Sequence, residues 1–316
     1  MTSPSCLTIV NDRLRADIAP HLGARVTRLV AVDSNTDLVV PLDAWNAPPH
    51  GWPKAGAYPL IPYSNRIAGA QLAFGDEVHA LPPHPLDLPN TLHGIAHALP
   101  WRLVVRAADT VELALHYEGE HWPWPFDAQL GFRLERRTLH VRMSVRNAGE
   151  RPMPAGLGWH PFLAAEAGAV IRFDAWRRWM LDSRFMPTGT SIITPPSITL
   201  DAQDWLDGDC VVYASDWRGE AVVERSRGRV RLRAGEPLTH VVAYVPRGAP
   251  YLCVEPVSHV ANGFNLAAAG VRDTGTRVLV PGATLEAHAS LEWEPAAEPT
   301  SFQMLELADS APNSNR

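Results

Sequence analysis

The chain has 316 residues, 46% of them hydrophobic, enough to bury one large core or two ordinary ones. Its 28 basic and 34 acidic residues leave a net charge of −6 without any block of like charge, which excludes the electrostatic footprint of a nucleic-acid binder. The three cysteines, Cys6, Cys210 and Cys253, are widely spaced and form no C-x-x-C pair, which argues against a disulfide framework and a zinc motif; there is also no leader-like N-terminus and no apolar run of about 18 residues. The expectation is a soluble protein of the reducing cytoplasm with no membrane partner.

Along the chain, period-two alternation recurs and helical periodicity is nearly absent. A proline-rich stretch, residues 46 to 62, leads into Pro62-Tyr63-Ser64-Asn65-Arg66-Ile67 and a strand-like Leu72 and Phe74. A second such stretch, residues 82 to 100, holds Asn90-Thr91-Leu92-His93-Gly94. Long irregular segments within a compact domain are usually functional loops. Strands are expected at Leu113 to Tyr117 and, most clearly, where Leu139, Val141, Met143 and Val145 alternate with His140, Arg142, Ser144 and Arg146 before the Asn147-Ala148-Gly149 turn. Further short runs fall at Val222–Val223, Val230 and Leu232, His240 to Val245, Tyr251 to Val254, and Leu285 to Trp293. Such spacing, punctuated by 29 prolines and 22 glycines, predicts an all-β fold, a large antiparallel β-sandwich. No repeat or composition shift divides it, so residues 1–295 are expected to form one domain, with residues 296–316 a frayed polar tail.

Two residues stand out for chemistry. Glu255 follows four apolar residues and reads as a carboxylate at the end of a buried strand; a Glu there belongs at a cleft or is an ordinary strand-end carboxylate. His160, in Gly158-Trp159-His160-Pro161-Phe162, is an imidazole bracketed by glycine and proline. Together they provide a general base and a general acid. Arg66 offers a planar fork of donors, and Asn65 a donor and an acceptor. His93 has a glycine beside it that permits close approach of a ligand. Several of the 11 tryptophans, Trp52, Trp101, Trp122, Trp124 and Trp159, sit in apparent loops, where they serve as platforms for sugar rings or as core packing.

The order Asn65-Arg66, Leu92-His93-Gly94, Gly158-Trp159-His160-Pro161-Phe162, Val254-Glu255-Pro256 and Phe264-Asn265 resembles the aldose 1-epimerase (mutarotase) family over residues 8 to 293. Trp122-Pro123-Trp124-Pro125-Phe126, Pro187-Thr188-Gly189 and Val280-Pro281-Gly282 add to the resemblance. It implies a galactose mutarotase-like supersandwich that interconverts the α and β anomers of a free monosaccharide without a cofactor or metal. By the same resemblance Glu255 is the base at the C1 hydroxyl and His160 the acid at the ring oxygen, on opposite sides of the anomeric centre. Arg66, His93 and Asn65 grip the sugar. The family's substrate-binding Asp has two candidates, Asp207 and Asp209, in a segment that lacks the family's Phe. Asn262-Gly263 also departs from the acidic and small pair that many relatives place before Phe-Asn. Neutral hexoses are the default substrate. Trp176-Arg177-Arg178-Trp179 keeps a 6-phospho or 6-sulfo hexose in view, against the alternative of a solvated edge strand. A carbohydrate-binding module is the rival reading, and the choice between monomer and homodimer is not written in the sequence.

Overall fold

The computed structural model describes residues 6–43, 53–166, 168–201 and 208–296; Trp52, Asp207 and the expected C-terminal tail, apart from Ala296, lie outside them. Its core is an 18-stranded sheet in which every ladder between named strands is antiparallel. The alternating segment forms the strand Thr138–Asn147, with Leu139, Val141, Met143 and Val145 buried. It pairs with Phe126–Glu135 on one side and Thr284–Pro295 on the other. Each large apolar side chain buried this way contributes roughly 1.5–3 kcal/mol.

From there the sheet continues through Gly228–Ala234 to the 16-residue strand Cys210–Arg225. This strand belongs to both halves of the sandwich. Its residues 220–225 pair with Gly228–Ala234, whereas residues 210–215 pair with His240–Val245. Beyond lie Tyr251–Val257, Gly158–Ala164 and Ala57–Leu60. Residues from both halves, among them Phe132, Leu291, Trp293, Leu163, Leu252 and Val254, share one hydrophobic core.

The strand Tyr251–Val257 is buried on both faces. Leu252 and Val254 enter the main core, whereas Tyr251, Cys253 and Val257 join a second, smaller cluster with Tyr58, Phe162, Trp179 and Tyr213. Because side chains alternate along a strand, Glu255 belongs with the second set. That second layer is the floor of a cleft.

Two expectations need correction, and the choice left open for the tryptophans falls to core packing. Glu255 and Pro256 are not at a strand end; they lie inside Tyr251–Val257. Trp101, Trp122, Trp124 and Trp159 are buried in the main core, so their bulk fills the sandwich rather than offering platforms. The strand Val170–Leu181, which carries Arg177 and Arg178, is not an edge, since it pairs with Pro187–Ile193 and Ser197–Leu200 on one side and Cys210–Arg225 on the other. Among the described residues no helix is long and apolar enough to cross a membrane.

Candidate active site

His160 and Glu255 are brought together by register. Gly158 pairs with Val257 and Phe162 with Cys253, which sets His160 directly opposite Glu255. Two prolines, Pro161 and Pro256, sit beside the pair and supply no N–H to the ladder. Nε2 of His160 stands 3.4 Å from Oε1 of Glu255, and both side chains are almost fully buried. The imidazole packs beside Tyr58 and Phe162, with ring centroids 4.8 and 4.5 Å away. Nδ1 of His160 and Oε2 of Glu255 have no protein hydrogen-bond partner.

The expected sugar-gripping residues converge on the same cleft. It encloses about 330 Å³ and is lined by Lys54, Asn65, Arg66, Asp87, His93, His160, Phe185, Asp209, Tyr213, Tyr244 and Glu255, among others. Asn65 and His93 both have left-handed backbones, φ 57° and 64°. Such a conformation is uncommon in non-glycine residues, and Asn and His are among those that tolerate it best. The conformation lets the Asn65 N–H donate to Nδ1 of His93 at 3.1 Å. The proton of the neutral His93 ring therefore resides on Nε2. Gly94 packs against the preceding loop so closely that a Cβ there would meet the Ile61 carbonyl oxygen at 2.2 Å.

Arg66 does not stand alone at the cleft wall. Its fork makes a two-pronged pair with Asp87 at 2.8 and 3.0 Å, and Asn90 donates to the same carboxylate at 3.2 Å. The Tyr213 hydroxyl donates to Asn65 Oδ1 at 3.1 Å. The guanidinium plane is thus fixed before any ligand arrives. Asp209 lies at the rim, where it accepts from the Tyr244 hydroxyl at 3.1 Å and the Arg247 N–H at 3.0 Å. Phe185 adds an apolar rim from a turn held by Asp182, whose carboxylate accepts the N–H groups of Arg184 and Met186. Its own φ is 59°, a costly state for a bulky residue and one that recurs at functional sites.

Lys54, Asp87, Phe185, Tyr213 and Tyr244 were not singled out by sequence. The nearest signal was the position of Asp87 within the second proline-rich loop. Arg177 and Arg178 do not line the cleft. Arg177 is engaged by Asp216, Asp273 and Ser191.

Burial governs the protonation of the pair. It pushes the Glu255 carboxyl up to about 8, an effect partly offset by the Lys54 and Arg66 cations. It holds the His160 imidazole well below its usual range, helped by the charges of Lys54 and Arg25. Near neutral pH the two groups therefore carry one proton between them, and they titrate as a unit. A ligand that stabilises the ionic arrangement needs only to move that proton from carboxyl to imidazole. The site can then withdraw a proton at one atom while delivering one to a neighbouring atom.

Comparison with known proteins follows the same lines. The family model described as aldose 1-epimerase matches residues 5–292. A curated Escherichia coli K12 protein, the uncharacterized protein YphB, is 23% identical over 255 residues, covering 76% of this chain and 84% of its own length. Among solved structures, a galactose mutarotase-like protein from Clostridium acetobutylicum superposes with a TM-score of 0.77 at 20% identity, over 92% of this chain and 95% of that one. The GalM/aldose epimerase homologue from C. elegans gives 0.78 at 16% identity, over 94% and 100%. At these identities the structural matches establish the shared fold.

Proposed function

The chain belongs to the aldose 1-epimerase family, and from that premise we propose that it is a mutarotase acting on a free neutral aldohexose, with Glu255 as base and His160 as acid. The observation that carries the reading is the pair itself, two complementary proton carriers 3.4 Å apart at the floor of a monosaccharide-sized cleft.

Glu255 takes the proton of the C1 hydroxyl while His160 delivers one to the ring oxygen. The bond from C1 to the ring oxygen breaks, and the aldehyde forms. Rotation about the C1–C2 bond presents the other face of the carbonyl, and reclosure returns both protons. The two reacting oxygens are attached to one carbon, so their acid and base must be neighbours. Placement on adjacent paired strands lets both groups reach one anomeric centre. Each proton carrier is worth about 10²–10⁴ in rate.

Around the reacting carbon, His93 offers its Nε2–H, and Arg66 offers a guanidinium pre-set by Asp87. Of the two aspartate candidates, Asp207 lies outside the described residues, and Asp209, at the cleft rim, is proposed to meet a sugar hydroxyl. The cations Lys54 and Arg66 are offset by Asp87 and Asp209, a balance that suits an uncharged polyol better than a phosphate or sulfonate. Arg177 and Arg178 lie outside the cleft lining and supply no support for an anionic sugar. The test is the decay of optical rotation of freshly dissolved α-glucose and α-galactose. A mutarotase accelerates that decay in proportion to enzyme concentration. A carbohydrate-binding module would bind the sugar and leave the decay unchanged.

A further inference from the structure

We propose that the floor of the cleft is also a binding site for a thiophilic divalent cation such as Zn²⁺, held by Cys253, Glu255 and His160, and that its occupancy inhibits the enzyme. The inhibition rests on the mutarotase reading, whereas the binding does not.

Cys253 and Glu255 are two residues apart on one strand, so their side chains leave the same face. His160 faces Glu255 from the neighbouring strand. One donor atom from each of the three residues lies within 4.8 Å of the others, and all three side chains are buried. Tetrahedral zinc, with bonds of about 2.0–2.3 Å to nitrogen, oxygen and sulfur, spaces its donors about 3.3–3.8 Å apart. The imidazole and carboxylate already stand 3.4 Å apart. The remaining adjustment is up to about 1.5 Å, within reach of side-chain rotation.

The carboxylate at this spot also awaits a partner, since Oε2 of Glu255 is buried without a protein hydrogen bond. One thiolate, one imidazole and one carboxylate form a donor set that favours zinc or cadmium over magnesium or calcium, which prefer oxygen ligands. On coordination the Cys253 thiol and the singly protonated His160–Glu255 pair each give up a proton to solvent, and bonds to the metal take the place of the bonds to those protons. The fourth position faces the cleft, where a water completes the tetrahedron. The Lys54 ammonium interacts with the same thiol and carboxylate, so the entering ion competes with it. A bound ion consumes both proton carriers, and the sugar can no longer exchange protons with them.

Co²⁺ is the probe, because a thiolate ligand gives it a sulfur-to-metal charge-transfer absorption that nitrogen and oxygen ligands do not. Titrated alone into the reduced full-length protein, Co²⁺ should produce this band with saturation at one equivalent, and Zn²⁺ should abolish it. Cys253→Val should lose the band and keep anomer exchange. Its Zn²⁺ inhibition constant should rise by more than the roughly 10–100-fold typical of losing an outer-shell partner. Cys253→Ser, closer in shape, should behave alike and guards against a packing defect in the valine variant. Exposed pairs such as His116 with Asp127 and His288 with Glu286 would bind the ion without the band. A band that survives in both variants, unaltered zinc sensitivity, or no thiolate band in the wild type would overturn the proposal. Because the band is read without substrate, its presence or absence is independent of whether the protein is a mutarotase.

Discussion

Glu255→Gln should make the protein more stable in alkali while removing its activity. The buried carboxyl titrates at about 8 against an ordinary value of 4.5, because burial disfavours its charged form. The folded state therefore holds a proton that the unfolded chain releases between these values, so stability falls as pH rises through that window. Above pH 8 the wild type bears the whole penalty, up to about 5 kcal/mol at about 1.4 kcal/mol per pH decade. Glutamine has nearly the same shape and no charge, but its buried amide costs about 1–3 kcal/mol if left unpaired. The net gain is about 2–4 kcal/mol at about pH 9, and it disappears near pH 5, where the wild-type carboxyl is itself neutral. Urea denaturation of both proteins at the two pH values measures the difference. If the variant gained no more stability at pH 9 than at pH 5, Glu255 would not be a desolvated carboxylate and the account of the pair would fail.

Acid should destabilise the protein through two buried histidines. His259 accepts the Ser64 N–H at Nε2 and donates Nδ1–H to the Val260 carbonyl, a neutral arrangement that a second proton would break. Burial lowers His259 and His240 to about 4, so below pH 6.5 the unfolded chain binds protons that the folded chain refuses. Each contributes a loss of up to roughly 3 kcal/mol by pH 4, and His259→Gln should flatten the measured slope of stability against pH. The rate should follow the singly protonated pair, so kcat/KM should fall as pH rises through about 8, where the shared proton is lost; a rate still climbing above pH 9 would contradict one-proton accounting. Asp87→Asn should release the Arg66 fork and lower kcat/KM about 10–100-fold, mainly through KM. An unchanged KM in steady-state assays would return the pair to a structural role.

Alternation made the strand Thr138–Asn147 legible residue by residue, because one of its faces is buried and the other is mostly polar. Tyr251–Val257 hides its geometry for the opposite reason. Both faces are buried, so no alternation marks which residues meet the core and which meet the cleft, and Pro256 imitates a strand end. Ion pairing across loops leaves no local signature, so the sequence marks the loop containing Asp87 as functional without showing its pairing with Arg66. Cys253 reads as an apolar strand residue until alternation puts it on the face of Glu255 and register brings His160 near. The Arg177–Arg178 segment left two readings open in the sequence, an anion site and a solvated strand. Charge alone does not choose between them, whereas the fold engages Arg177 with carboxylates from other segments of the chain.

The most direct test of the account is two-dimensional NMR exchange spectroscopy of an equilibrated aldohexose, with cross-peaks between its α and β anomeric signals measured for the wild type, Glu255→Gln and His160→Asn. The wild type should show enzyme-dependent exchange, and each variant should lose about 10²–10⁴ of it while remaining folded. Exchange at near wild-type rate in either variant, or none above the buffer rate in the wild type, would contradict it.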